Sequence, residues 1–122
     1  MIEFSVFEDL KSVKLKNFLP KPTTLSVGQE EALNELWVSE DGTSRIGIWE
    51  CTEGTFTADR TKMAEYCHII SGTASIINED NGNCRDVGPG DLLVLPIGWK
   101  GKWTIKSQVK KLYILCEAKA RA

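Results

Sequence analysis

Residues 88–103 read GPGDLLVLPIGWKGKW: a glycine-flanked proline, an acid, an apolar run, and a return carrying two tryptophans and two lysines. Gly88 and Gly90 around Pro89 predict a tight turn, and Asp91 directly after it is placed to accept hydrogen bonds from the turn amides. LLVL is the length of a buried strand, and Gly98 and Gly101 allow positive φ or close backbone approach on either side of Trp99. The stretch is no phosphate cradle, because it lacks the glycine spacing and the lysine plus Ser or Thr of a P-loop.

Outward from it the same rhythm repeats. Short runs rich in β-branched and aromatic residues (ELWVSE, SRIGIWECT, EYCHII, TASIIN, DLLVLP, GKWTIK and KKLYILC) are broken by DG at 41–42, EGT at 53–55, SG at 71–72, EDNGN at 79–83 and GPG at 88–90. Strand-length segments at this spacing predict an all-β antiparallel sandwich or barrel, and their apolar spacing does not fit alternating helices and strands. One short helix is allowed at 9–12 or 29–35. Pro20 and Pro22 argue for an extended entry, so residues 1–33 read as an arm and 34–122 as the barrel.

A chain of 122 residues is one domain by length, long enough to bury roughly two thirds of its unfolded surface without a disulfide or metal staple. Its 15 Lys and Arg against 17 Asp and Glu give a net charge of -2 with the signs interspersed, which provides no basic face for nucleic acid or anionic lipid. The start MIEFSVFEDL is acidic where a signal peptide would be basic, and no apolar run approaches the ~20 residues of a membrane span, so a cytoplasmic location is expected. Cys51, Cys67, Cys84 and Cys116 form no tight pair and read as free thiols.

Two spacings carry a resemblance. Glu65 precedes Gly72 in EYCHIISG, and Gly90 precedes Pro96 and Gly98 in GDLLVLPIG. From about residue 34 to 116 the chain resembles a small single-domain cupin. More narrowly, it is similar to the cupins related to ureidoglycine aminohydrolase, through WECTEGTF, EYCHIISG, GPGDLLVLPIGWKGKW and KKLYIL. The resemblance implies a jelly-roll barrel and a homodimer, in which the arm is available to cover a neighbouring subunit's edge strands.

The resemblance also exposes a departure. Metal-binding cupins carry two histidines before the glutamate, at positions that are here Ala58 and Arg60 or Asp59 and Thr61, and a third where this chain has Gly101. Of the four usual ligands only Glu65 remains, and a lone carboxylate is no transition-metal site, so neither metal nor cofactor is expected. His68 does not replace them, because three positions from Glu65 it points to the opposite side of a regular strand.

An inward Glu65 needs a partner, since an unpaired buried carboxylate is costly; Lys100 and Lys111 are candidates, with Tyr113 as a hydrogen-bond donor. The expected catalytic set is Glu65, Lys111 and Tyr113, with burial raising the Glu65 pKa. The expected ligand-binding set is Trp49, Cys51, Cys67, Trp99, Lys100 and Trp103 around the barrel mouth. Three functions are consistent with these residues: a metal-free binder of a small polar metabolite, a hydrolase or isomerase acting on a ureido or amide compound through Glu65, and a non-catalytic dimeric scaffold with a packed barrel.

Overall fold

A computed structural model of the chain describes residues 2–118, so Met1 of the arm and residues 119–122 of the expected barrel lie outside the described residues. The chain runs through β1 (Leu19–Pro20), β2 (Glu30–Val38), β3 (Ser44–Cys51), β4 (Gly54–Asp59), β5 (Met63–Asn78), β6 (Cys84–Val87), β7 (Leu92–Leu95) and β8 (Lys100–Glu117). Every named strand pairing is antiparallel. This is the antiparallel all-β architecture that the strand rhythm predicts, in the jelly-roll form that the resemblance implies. Of the two places left open for a helix, 10–12 forms a 3₁₀ turn, and 30–35 is part of strand β2, paired with β3.

Two long strands, β5 and β8, hold the architecture together. They pair from Met63↔Glu117 to Asn78↔Gly101, and register shifts between Ile69 and Ala74 bend the ribbon at its middle. One half of the ribbon lies between β3 and β7, the other between β4 and β6. Two sheets therefore face each other while sharing their central strands. The SG pair read as a break is instead the corner: Gly72 has φ 83°, and a Cβ there would collide with the Gln108 carbonyl of β8.

Strand alternation decides what faces the space between the sheets. In β5, Glu65, Cys67 and Ile69 are buried, while Tyr66 and His68 are exposed. Trp103 and Phe56 stack at 5.8 Å across β8 and β4, and Trp49 of β3 meets both edge-on at about 6 Å. With Cys51, Ile76, Ile105 and Val109 they form the core.

The arm does not stop at residue 33. Strand β2 begins at Glu30, and its first half pairs with β3 from Glu31↔Cys51 to Glu35↔Gly47, so the expected boundary falls inside a strand. The turn before it is fastened to β4: Thr57 donates to the Thr23 carbonyl at 3.1 Å, Leu25 to the Thr55 carbonyl at 2.8 Å, and Thr55 to Ser26 Oγ at 2.9 Å. Strand β4 itself was hidden by its start in EGT. Further upstream, Lys110 Nζ donates to the carbonyls of Lys11 and Val13, laying the arm over the outer face of its own sheet.

Candidate functional site

At one end of the sandwich a cavity of about 260 Å³ opens between the sheets, with Trp49, Phe56 and Trp103 as its apolar wall and six charged side chains around it. Glu65 enters from β5 because it shares the inner face with Cys67. Lys111 of β8 donates to its Oε2 at 2.8 Å, and Arg60, in the β4–β5 loop, meets its Oε1 through Nη2 at 2.9 Å and Nε at 3.1 Å. Glu65 and Lys111 are almost wholly buried, whereas Arg60 reaches solvent.

The surroundings of Glu65 reverse the expected direction of its pKa. Burial alone would raise it, but the charges of Lys111 and Arg60, a Lys111 hydrogen bond and the Cys67 thiol lower it from 4.5 to about 2. Lys111 is disfavoured as a cation by burial, yet the neighbouring Glu65 and Cys67 hold its pKa above the ordinary lysine value. The group is therefore an ionised clamp. Burial pushes the Cys67 thiol up to about 12 and the Cys51 thiol to about 11, so both remain protonated.

A second ion pair comes from the arm. Lys21 Nζ donates to Glu31 Oε1 at 2.8 Å, and the same oxygen accepts the Trp49 indole N–H at 2.8 Å. Both lysines lie over aromatic faces: Lys111 is 4.2 Å from Trp49 and 4.3 Å from Trp103, and Lys21 is 4.3 Å from Phe56. Tyr113 lies across Gly47 of β3, where a Cβ would collide with its ring and hydroxyl, so Gly47 makes room for it. Burial, then the Glu35 and Glu65 charges, raise the Tyr113 pKa above its ordinary value.

The expected site residues separate into three groups. Glu65, Lys111, Tyr113, Trp49 and Trp103 meet in this cavity. Cys51 and Cys67 are fully buried core residues behind its wall. Trp99 and Lys100 do not face Glu65, which corrects the reading that placed them at its mouth and Lys100 as its partner. Trp99 donates from its indole N–H to Asn78 Oδ1 at 2.7 Å, and Lys100 lies with Thr23, Asp59 and Lys102 along a wider groove of about 460 Å³. That groove is larger, but its lysines are exposed surface groups. Asp91 accepts from the Gly88 amide at 2.8 Å as expected.

Lys21, Glu31, Glu35 and Phe56 are among the lining residues that the sequence reading missed, and Arg60 entered it only as a position lacking histidine. The available signal was the alternation Glu31, Leu33, Glu35, which puts two carboxylates on the same face of β2 and, through the register with β3, beside Trp49.

The donor set was tested against a histidine-held metal of the kind the fold implies, and it does not fit. Ala58 and Arg60, or Asp59 and Thr61, stand where the histidines would be, and Arg60 and Lys111 already occupy the oxygens of Glu65 with positive charge. At Gly101 a Cβ would collide with the Ile77 carbonyl and lie 2.5 Å from the Trp99 ring. Among the described residues no three His, Cys, Asp or Glu converge on one point.

Comparisons with known proteins place this geometry. No curated protein matches the chain. Among solved structures it is similar to the EutQ protein of Clostridium difficile, at 23% identity and TM-score 0.72, covering 90% of this chain and 78% of that one. A protein of unknown function of the DUF861 family from Pseudomonas syringae pv. tomato shares 25% identity at TM-score 0.73 over 88% of this chain, which spans only 46% of that protein. The cupin domain of Schizosaccharomyces pombe Cnp3, at 14% identity and TM-score 0.69, covers 93% of this chain and 70% of its own; this shows the fold alone. The EutQ-like cupin domain model matches residues 38–113, more than half of the chain, and the protein belongs to that cupin family.

Proposed function

We propose that this cupin binds a small polar organic molecule in the cavity bordered by Glu65, without a resident metal, and that it acts in the cytoplasm as a homodimer. One observation carries the binding reading. A solvent-reachable cavity of about 260 Å³ combines an aromatic wall with buried charges that are already paired and oriented. Convergent polar groups on an apolar wall are how small-ligand sites are built, and the volume lies below the roughly 300–1,000 Å³ of drug-sized sites, which favours a metabolite of few atoms.

A hydrolase or isomerase acting on ureido or amide compounds through Glu65, as in the cupins related to ureidoglycine aminohydrolase, is the second reading. The carboxylate's surroundings work against it, because a group held at about 2 by two cations is a weak base at neutral pH. Unchanged turnover of ureido acids by Glu65→Gln would remove that role. The packed scaffold is disfavoured by the cavity itself. Support for a dimer comes from the outer face, where Trp37, Ile46, Ile114, Tyr66 and Val94 line up across five strands, and from Ile2 and Phe4 of the arm, which are exposed among the described residues. Light scattering at micromolar concentration should give twice the 13.6 kDa chain mass.

The binding reading is tested by thermal unfolding against a panel of small polar metabolites. A specific ligand at 100 times its dissociation constant adds about 2.7 kcal/mol. No stabilisation by any member, together with a cavity that excludes every probe, would overturn the reading.

A further inference from the structure

Each carboxylate of the cavity is paired with at least one cation. Glu65 is taken by Lys111 and Arg60, Glu35 by Arg45 at 3.1 Å, and Glu31 by Lys21. Three of the four cations belong to β3, the β4–β5 loop and β8. Lys21 alone comes from the arm, and its ammonium is held at one spot by a carboxylate at 2.8 Å and the face of Phe56 at 4.3 Å. A carboxylate beside an aromatic face is the chemistry that recognises an organic ammonium ion.

We propose that the Glu31–Phe56–Trp49 corner is a binding site for a small organic ammonium compound, and that Lys21 is its resident occupant, displaced when the ligand enters. This rests on the small-molecule reading above and names the ligand class. An anion binding at this corner would have to take Lys21 from Glu31 and put two negative charges side by side in a partly dry space. An ammonium ion exchanges like for like, and Glu31 keeps a cation throughout.

Displacement needs only the Lys21 side chain. Its backbone is anchored by donation from Lys21 N to the Gln29 carbonyl at 3.0 Å and from Thr24 N to the Lys21 carbonyl at 3.2 Å. Glu31 stays oriented by the Trp49 indole at 2.8 Å after the lysine leaves. The released ammonium reaches water, since the Lys21–Glu31 pair is already partly exposed, at 13% and 23% of side-chain surface.

The test titrates methylammonium and tetramethylammonium chloride into the full chain, with sodium acetate and urea as anionic and neutral probes. Trp49 lies against the site, so tryptophan fluorescence reads it, and near-ultraviolet circular dichroism checks that each variant is folded. Both ammonium ions should bind, at least tenfold more tightly in Lys21→Ala and at least tenfold more weakly in Glu31→Gln, with acetate silent. Ammonium affinity unchanged in both variants would overturn the proposal, as would acetate binding that Lys21→Ala abolishes. Binding of acetate or urea without ammonium binding would sink this inference and leave the small-molecule reading standing. Exclusion of all four probes, with no hit in the metabolite panel, would remove both.

Discussion

Glu65–Lys111 and Glu31–Lys21 have the same Nζ to Oε distance, 2.8 Å, within one cavity, yet their settings differ. The first joins two central strands, is at most 6% exposed on either side, and is braced by Arg60 and Cys67. The second joins the arm to β2 and keeps a path to water. Removing one member of a buried pair strands the other charge away from solvent, whereas a partly exposed pair lets water reach the partner left behind. The same chemistry thus serves as a fixed clamp in one place and an exchangeable contact in the other.

The largest expected effect tests the clamp. Glu65→Gln should cost about 3–5 kcal/mol, because it leaves Lys111 buried and unpaired. Adding Lys111→Met should recover part of the loss, with a coupling on the order of 1–3 kcal/mol in a double-mutant cycle from urea unfolding. Additive losses would show that the two residues do not act as a pair.

Placing the histidine of metal-binding cupins at position 101 should also destabilise the fold. Gly101→His meets the Ile77 carbonyl and the Trp99 ring, and overpacking of this kind costs about 1–3 kcal/mol. Elemental analysis of that variant should still find no stoichiometric manganese, zinc or iron, since a histidine alone leaves the other ligand positions empty. One equivalent of metal would show that the site was a single residue short.

The acid limb separates the pairs by pH. The Glu65 pKa is lowered from 4.5 to about 2 in the folded chain, so its contribution is complete above about pH 4.5 and is lost as pH falls toward 2. Urea midpoints between pH 6 and 3 should fall for the native chain and fall less steeply for Glu65→Gln. Equal slopes would contradict an ionised Glu65 clamp. The smallest effect belongs to Lys21→Ala, whose partly exposed pair should cost less than the Glu65 clamp in the same unfolding assay.

The contrast also explains what the sequence could reveal. The motif match implied an inward Glu65, alternation along EYCHII put His68 on the opposite side, and the structure has them so. The gap at Gly101 was visible as a residue type, and the collision awaiting any side chain there gives its reason. Lys111 was found because it lies two positions from Tyr113 on one strand. Arg60 and Lys21 were not, because each reaches its glutamate from outside a regular strand, where no period governs direction. The corner at Gly72 read as a break for a related reason: turn residues mark where a strand changes course, and only pairing with β8 shows that it continues.

Heteronuclear NMR of the lysine Nζ groups during a tetramethylammonium titration compares the two pairs in one sample. The account predicts that the Lys21 resonance moves to its solvent-exposed position as the ligand saturates, while Lys111 stays protected from exchange with water. A Lys111 signal that shifts or begins to exchange while Lys21 stays in place would contradict the assignment of clamp and exchangeable contact.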